Sequence, residues 1–138
     1  MTRRIQRTRR VVAAGTFDDI HAGHRYYLRT AKRLGDHLTV IVARDTTVPL
    51  IKGKKPRKGE RQRRAAIAAL PEVDRAVLGS RVHSKDPAQR FHILLRMKPD
   101  VICLGYDQPV PTRQLRVFLD RHGLPLTRIV RVRRHPAF

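Results

Sequence analysis

Five short apolar runs recur along the chain: VVAAG at 11–15, HLTVIVA at 37–43, DRAVLG at 74–79, VICLG at 101–105 and LTRIVRV at 126–132. Runs this short and this apolar read as strands covered on both faces, and each is followed or preceded by a stretch of helical period. Strictly alternating strands and helices are joined by right-handed crossovers, so the expected fold class is α/β, a five-stranded parallel sheet with helices on both faces. Apolar residues are 41% of the chain, yet aromatics are only 5% and Trp is absent, so the core rests on Val, Leu, Ile and Ala. At 138 residues the chain suffices for one such core. A single domain over 1–138 is expected, its first ten residues, MTRRIQRTRR, being a flexible basic leader.

The first helix is expected over 22–35, with Tyr26, Tyr27, Leu28, Ala31 and Leu34 at helical spacing and Gly35 at its end. Of the two tyrosines, one should pack and one should be exposed. A second helix reads over 60–70 and stops at Pro71; a third starts from Asp86 as N-cap with Pro87 in its first turn; a fourth runs over 112–123 to Gly123. The segment RDTTVPLIKGKKPRKG, 44–59, is too basic and too broken by Pro and Gly to be an element, and is expected to be a mobile loop. Parallel sheets bind ligands at the carboxyl ends of their strands. That rule gathers three distant segments into one candidate site: Gly15–His24 after strand one, the basic loop after strand two and GYDQ after strand four.

The charge balance narrows the ligand. Lys and Arg number 31 against 11 Asp and Glu, a formal +20, which demands a polyanion somewhere in the protein's working life: nucleotide phosphates, nucleic acid or an acidic surface. The lone cysteine, Cys103, rules out an internal disulfide and a cysteine-only zinc site, and fits a core position in a reducing, cytoplasmic compartment. No apolar run approaches membrane-spanning length. No membrane association is expected.

Within GTFDDIHAGH, Gly15 ends a strand where backbone can approach a ligand closely, and His21 and His24 flank the positive end of a helix. Backbone N–H groups there favour phosphate oxygens, and imidazoles can donate to the same oxygens. Zinc would want a third protein ligand, for which only Asp18 or Asp19 is near, so an anion is the better reading and no metal site is assigned to the protein.

GTFDDIHAGH, with its His-x-Gly-His ending, resembles the signature of the cytidylyltransferase-like nucleotidyltransferases, and IVARD and LGYDQ extend the likeness over about residues 11–108, most nearly toward archaeal FAD synthetases and next toward glycerol-3-phosphate cytidylyltransferases. The resemblance implies a Rossmann-like nucleotidyltransferase fold and transfer of AMP from ATP to FMN, giving FAD and pyrophosphate. Cytidylyl transfer from CTP to glycerol 3-phosphate is the neighbouring alternative. It implies that Gly15, Thr16 and Phe17 lie against the triphosphate, that His21, His24 and Lys54 are catalytic, and that Lys52, Lys54 and Arg63 hold phosphates. Gly105 and Asp107 would meet the base or ribose. Mg²⁺ or another divalent cation would accompany the nucleotide, with Asp18 assisting through water; a homodimer is suggested by relatives alone.

Where many relatives carry a Ser/Thr-rich phosphate nest, this chain has RIVRVRRHPAF, with Arg131, Arg133 and Arg134. Either these arginines substitute, or triphosphate binding is weaker, or the scaffold has given up catalysis and binds nucleic acid through Arg3, Arg4, Arg133 and Arg134.

Overall fold

The computed structural model describes residues 8–135, so Arg3, Arg4 and most of the basic leader lie outside the described residues. Its strands are β1 Arg10–Gly15, β2 His37–Val42, β3 Arg75–Leu78, β4 Val101–Leu104 and β5 Arg128–Arg131. They form one sheet in the order β3-β2-β1-β4-β5, every neighbouring pair parallel. The helices are α1 Ala22–Arg33, α2 Thr47–Lys52, α3 Glu60–Ala68, α4 Pro87–Met97 and α5 Thr112–Arg121. Strand one begins at Arg10, inside the segment read as leader, because Arg10 pairs with His37 and its N–H donates to Asp100 Oδ2 at 2.8 Å.

The period of two along the strands divides the core. Val11, Ala13, Val101 and Cys103 face one side with Leu28 and Ala31 of α1 and Ile67 of α3. Val12, Ile102 and Leu104 face the other with Phe91 and Leu94 of α4 and Leu115 and Leu119 of α5. The helices thus cover both faces. Leu28 is wholly buried; truncating such a residue to alanine costs about 2–5 kcal/mol.

One expectation fails outright: the basic segment 44–59 contains α2. Pro49 sits in the first turn, where its missing N–H would have had no helical partner, and Gly53 closes the helix in the left-handed region at φ 76°. Helix α1 stops at Arg33 with Leu34 as cap, so Gly35 does stand at its end, but without the left-handed φ of a glycine cap. It is there for close packing, since a Cβ would come within 2.7 Å of the Arg9 carbonyl oxygen. Tyr27 is buried, while Tyr26 is half-buried with its ring edge-on to His135.

Candidate active site

Strand β1 pairs with β2 as far as Gly15, but with β4 only as far as Ala13 and Cys103. Beyond that point β1 and β4 part, and the backbone groups of the opening need other partners. Tyr27 of α1 supplies one: its hydroxyl donates to the Cys103 carbonyl at 2.6 Å and accepts the Ala14 N–H at 3.2 Å. Gln108 supplies the rest, donating to Ala14 O at 3.2 Å and accepting the Gly105 N–H at 3.1 Å. Burial raises the Tyr27 hydroxyl's pKa above its ordinary value, so it stays a neutral donor. The crevice is therefore held open by satisfied hydrogen bonds, at the switch point where the chain's direction across the sheet reverses.

The signature loop crosses this opening. Phe17 adopts φ 55° and is 3% exposed. Its ring lies so close over Gly15 that a Cβ there would meet Phe17 Cζ at 2.7 Å. Gly15 lines the cavity as expected, but the group that demands a glycine is this ring rather than a ligand. The left-handed Phe17 in turn brings its ring edge-on to His24, with centroids 5.3 Å apart.

The histidine spacing has a geometric cause. His21 is the N-cap of α1 and His24 is at its third position; His21 Nδ1 accepts the Gly23 N–H at 3.0 Å, and His24 Nδ1 accepts the His21 N–H at 3.3 Å. This is a capping box built from two imidazoles, with the rings stacked at 3.9 Å. Because both Nδ1 atoms accept, each neutral ring carries its proton on Nε2, the donor form that a phosphate oxygen needs. Burial, then the neighbouring His21, then Lys52 hold His24 down to a pKa of about 4, against the opposing pull of the Asp19 carbonyl and Asp107. His24 is neutral at pH 7 and donates without bringing a full charge.

Beside His24 lies a cavity of about 340 Å³, lined also by Gly15, Thr16, Phe17, Gly105, Asp107 and Gln108; His21 is exposed and not in its wall. All three segments expected from the sequence meet there, the basic loop contributing Lys52. Lys54 is not in the wall; it is exposed beyond the left-handed Gly53 that ends α2. A Cβ on Gly105 would make ordinary contact with Gln108 Cβ at 3.7 Å and Asp107 Oδ1 at 3.9 Å, so no group of the protein demands a glycine there.

Arg63 is placed differently from its expected phosphate contact. Its side chain has no exposed surface. It donates to Lys58 O at 2.9 Å, Thr16 O at 2.9 Å, Ala43 O at 2.7 Å and Asp45 Oδ1 at 2.8 Å. One guanidinium thus ties together the loops after β1 and β2 and the start of α3. Asp18 is likewise committed: its two oxygens accept the Arg57 and Lys58 N–H groups, each at 2.8 Å, and these bonds hold its carboxyl below the usual range. The same bonds dock the end of the basic loop onto the signature.

Arg131, one of the arginines that could stand in for the phosphate nest, is engaged within the protein. It donates to Gly105 O, Gln108 O, Val110 O and Thr112 Oγ1 at 2.8–3.0 Å, bracing the loop between β4 and α5 rather than replacing a phosphate nest. Arg133 and Arg134 are exposed. Among the described residues, ten acids accept a hydrogen bond or an ion pair, and Asp107 has neither. In a chain this basic, an unpaired carboxylate in a cavity wall is set to receive a donor from a ligand. No group of three or more His, Cys, Asp or Glu among the described residues could hold a metal ion. The donor set suits an anion, and no resident cation is assigned.

Sequence reasoning missed Tyr27, Gln108 and the bracing roles of Asp18 and Arg131. Gln108 had a signal, its place in GYDQ beside Asp107; Tyr27 carried none beyond helical spacing.

Residues 12–128 match the cytidylyltransferase-like family. The chain is 45% identical over 124 residues to an FAD synthase of Archaeoglobus profundus, covering 90% of this chain and 74% of that protein. It is 46% identical over 123 residues to an FAD synthase of Methanosarcina mazei, covering 89% and 76%. A crystal structure from Thermoplasma volcanium, titled a lipopolysaccharide core biosynthesis protein, superposes with a TM-score of 0.82 at 41% identity, over 93% of this chain and 98% of that one. A Francisella tularensis pantoate-beta-alanine ligase superposes at 0.62 with 15% identity, over 96% of this chain and 62% of that one, a likeness of fold alone.

Proposed function

The chain belongs to the cytidylyltransferase-like family, and from that premise we propose that it is an FAD synthase, transferring AMP from ATP to the phosphate of FMN with release of pyrophosphate. The observation that carries this reading is the stacked His21–His24 capping box, whose His24 lines the switch-point cavity. A phosphate oxygen of FMN attacks the α-phosphorus of ATP, one P–O bond forms, and the bond to the β-phosphate oxygen breaks. No covalent enzyme intermediate is needed, so alignment and charge stabilisation supply the rate.

In this mechanism the Nε2–H groups of His21 and His24 donate to the phosphoryl oxygens as negative charge shifts toward pyrophosphate. Lys52, close enough to depress the His24 pKa, neutralises the same oxygens. Lys54 extends that positive surface from the loop beyond α2, while Arg63 acts through Thr16 by fixing the loop that carries it. Asp107 receives hydroxyl or amine donors of the nucleoside. A divalent cation comes with the triphosphate as part of the substrate. The named FAD synthases support ATP and FMN over CTP and glycerol 3-phosphate.

The test is a panel: ATP or CTP with FMN, glycerol 3-phosphate or a sugar phosphate, read by chromatography of the product and by pyrophosphate release. FAD formed from ATP and FMN is expected. A cytidylyl product formed from CTP and glycerol 3-phosphate would overturn the acceptor and nucleotide assignments together.

A further inference from the structure

The cavity reaches well beyond the phosphate site. Besides the residues around His24 and Gly105, its wall comprises Thr47 of α2, Ser80 and Val82 after β3, and Arg90 and Phe91 of α4. A second cavity of about 230 Å³ adjoins it, and Ile51, Val82, Arg90 and Pro109 line both.

Two polar groups in this wall lack what they need. Arg90 is half-buried, its pKa lowered by burial, and its guanidinium has no hydrogen bond or ion pair with any described residue. Arg63 and Arg131, the other arginines that brace this region, each have four acceptors. Thr47 is 4% exposed, and its buried Oγ1 has no partner. Rotation about χ1 exchanges that hydroxyl with its methyl group. The Thr47 hydroxyl is buried without a partner, a costly state that a ligand would relieve, and the Arg90 guanidinium still has all its donors to offer an acceptor in the cavity. Their chemistry asks for carbonyl oxygens or a similar acceptor edge, while Ile51, Val82 and Phe91 ask for a flat apolar body.

We propose that Arg90 and Thr47 determine acceptor specificity by binding the carbonyl-bearing edge of the flavin ring, with the ring's apolar part against Val82 and Phe91. Resting on the FAD synthase reading, this places the acceptor ring on the β2–β3 side of the cavity and the nucleoside of ATP on the β4 side, with the reacting phosphates between them at His24.

The direct probe is riboflavin, which has the ring without the phosphate, its binding followed by quenching of flavin fluorescence. Arg90→Ala should weaken riboflavin binding at least tenfold and raise KM for FMN similarly, with KM for ATP unchanged. Thr47→Val, which keeps the shape and removes an unpartnered hydroxyl, should fold as well as the parent chain and weaken riboflavin binding severalfold. Arg90→Lys should rescue only part, because an ammonium cannot pair with two acceptors in one plane. If the parent chain makes FAD but both variants bind riboflavin and turn over FMN normally, the subsite assignment is wrong and the enzyme assignment stands. If the parent chain makes no FAD and binds no riboflavin, both fall.

Discussion

Two arginines brace the two lips of the cavity at opposite exposures. Arg63 is fully buried and joins segments that are distant in sequence, from Thr16 to Lys58. Arg131 is exposed and holds a single loop, from Gly105 to Thr112. Each makes four hydrogen bonds, yet their removal has different meanings. The Arg63 side chain itself is wholly buried, so its loss leaves a cavity and takes away the one donor that joins four acceptors on separate segments. Solvent can replace Arg131 at little cost. The signature lip is thus part of the folded core, whereas the GYDQ lip can yield as a nucleotide enters.

The largest expected effect is on chemistry at the rigid lip. His24→Ala or His21→Ala should lower kcat for FAD formation by about 10²–10³, the typical loss when one preorganised donor to the transition state is removed. Chromatographic initial rates measure it, and near-normal kcat in both variants would separate the rigid lip from catalysis. Next, Arg63→Ala should destabilise the fold by about 3 kcal/mol in urea unfolding. Arg131→Ala should cost only about 1 kcal/mol, with KM for ATP raised more than kcat is lowered. Equal losses in the two variants would dissolve the distinction between the lips.

A smaller effect concerns pH. His24 has a folded pKa of about 4, below its ordinary 6.5, so between those values the unfolded chain takes up a proton that the folded chain refuses. Stability should therefore be full above pH 6.5 and decline as pH falls toward 4, before carboxylates such as Asp74 and Glu72, whose pKa values are lowered by their partners, contribute their own loss at lower pH. Thermal melts between pH 7 and 4.5 should show the slope, and His24→Ala should flatten it. Smallest of all, Arg133→Ala with Arg134→Ala should leave FAD formation intact while reducing the salt dependence of any RNA affinity. An unaltered salt slope would place nucleic-acid attraction elsewhere on this +20 chain.

Local patterns carried most of the fold. A strand or helix is set by a few adjacent residues, so the apolar runs marked all five strands to within about two residues. The overlooked α2 shows the limit of composition: Pro49 and Gly53 look like breakers, but one falls in the first turn and the other at the left-handed end, positions that favour those residues.

The sequence by itself determined the alternation that yields a parallel sheet, the His-x-Gly-His loop between β1 and α1, and the surplus of positive charge that calls for phosphate. Tertiary structure alone decided what each charged side chain does. Arg63 and Arg131 look alike in sequence and look like phosphate ligands; both brace backbone. Asp18 and Asp107 also look alike, yet one is tied to Arg57 and Lys58, 39 and 40 residues away, and the other is left for a ligand. The reason is physical. Secondary structure depends on spacing along the chain, whereas the role of a charge depends on which donors and acceptors the folded chain brings within hydrogen-bond reach of it, and on how much water it leaves there.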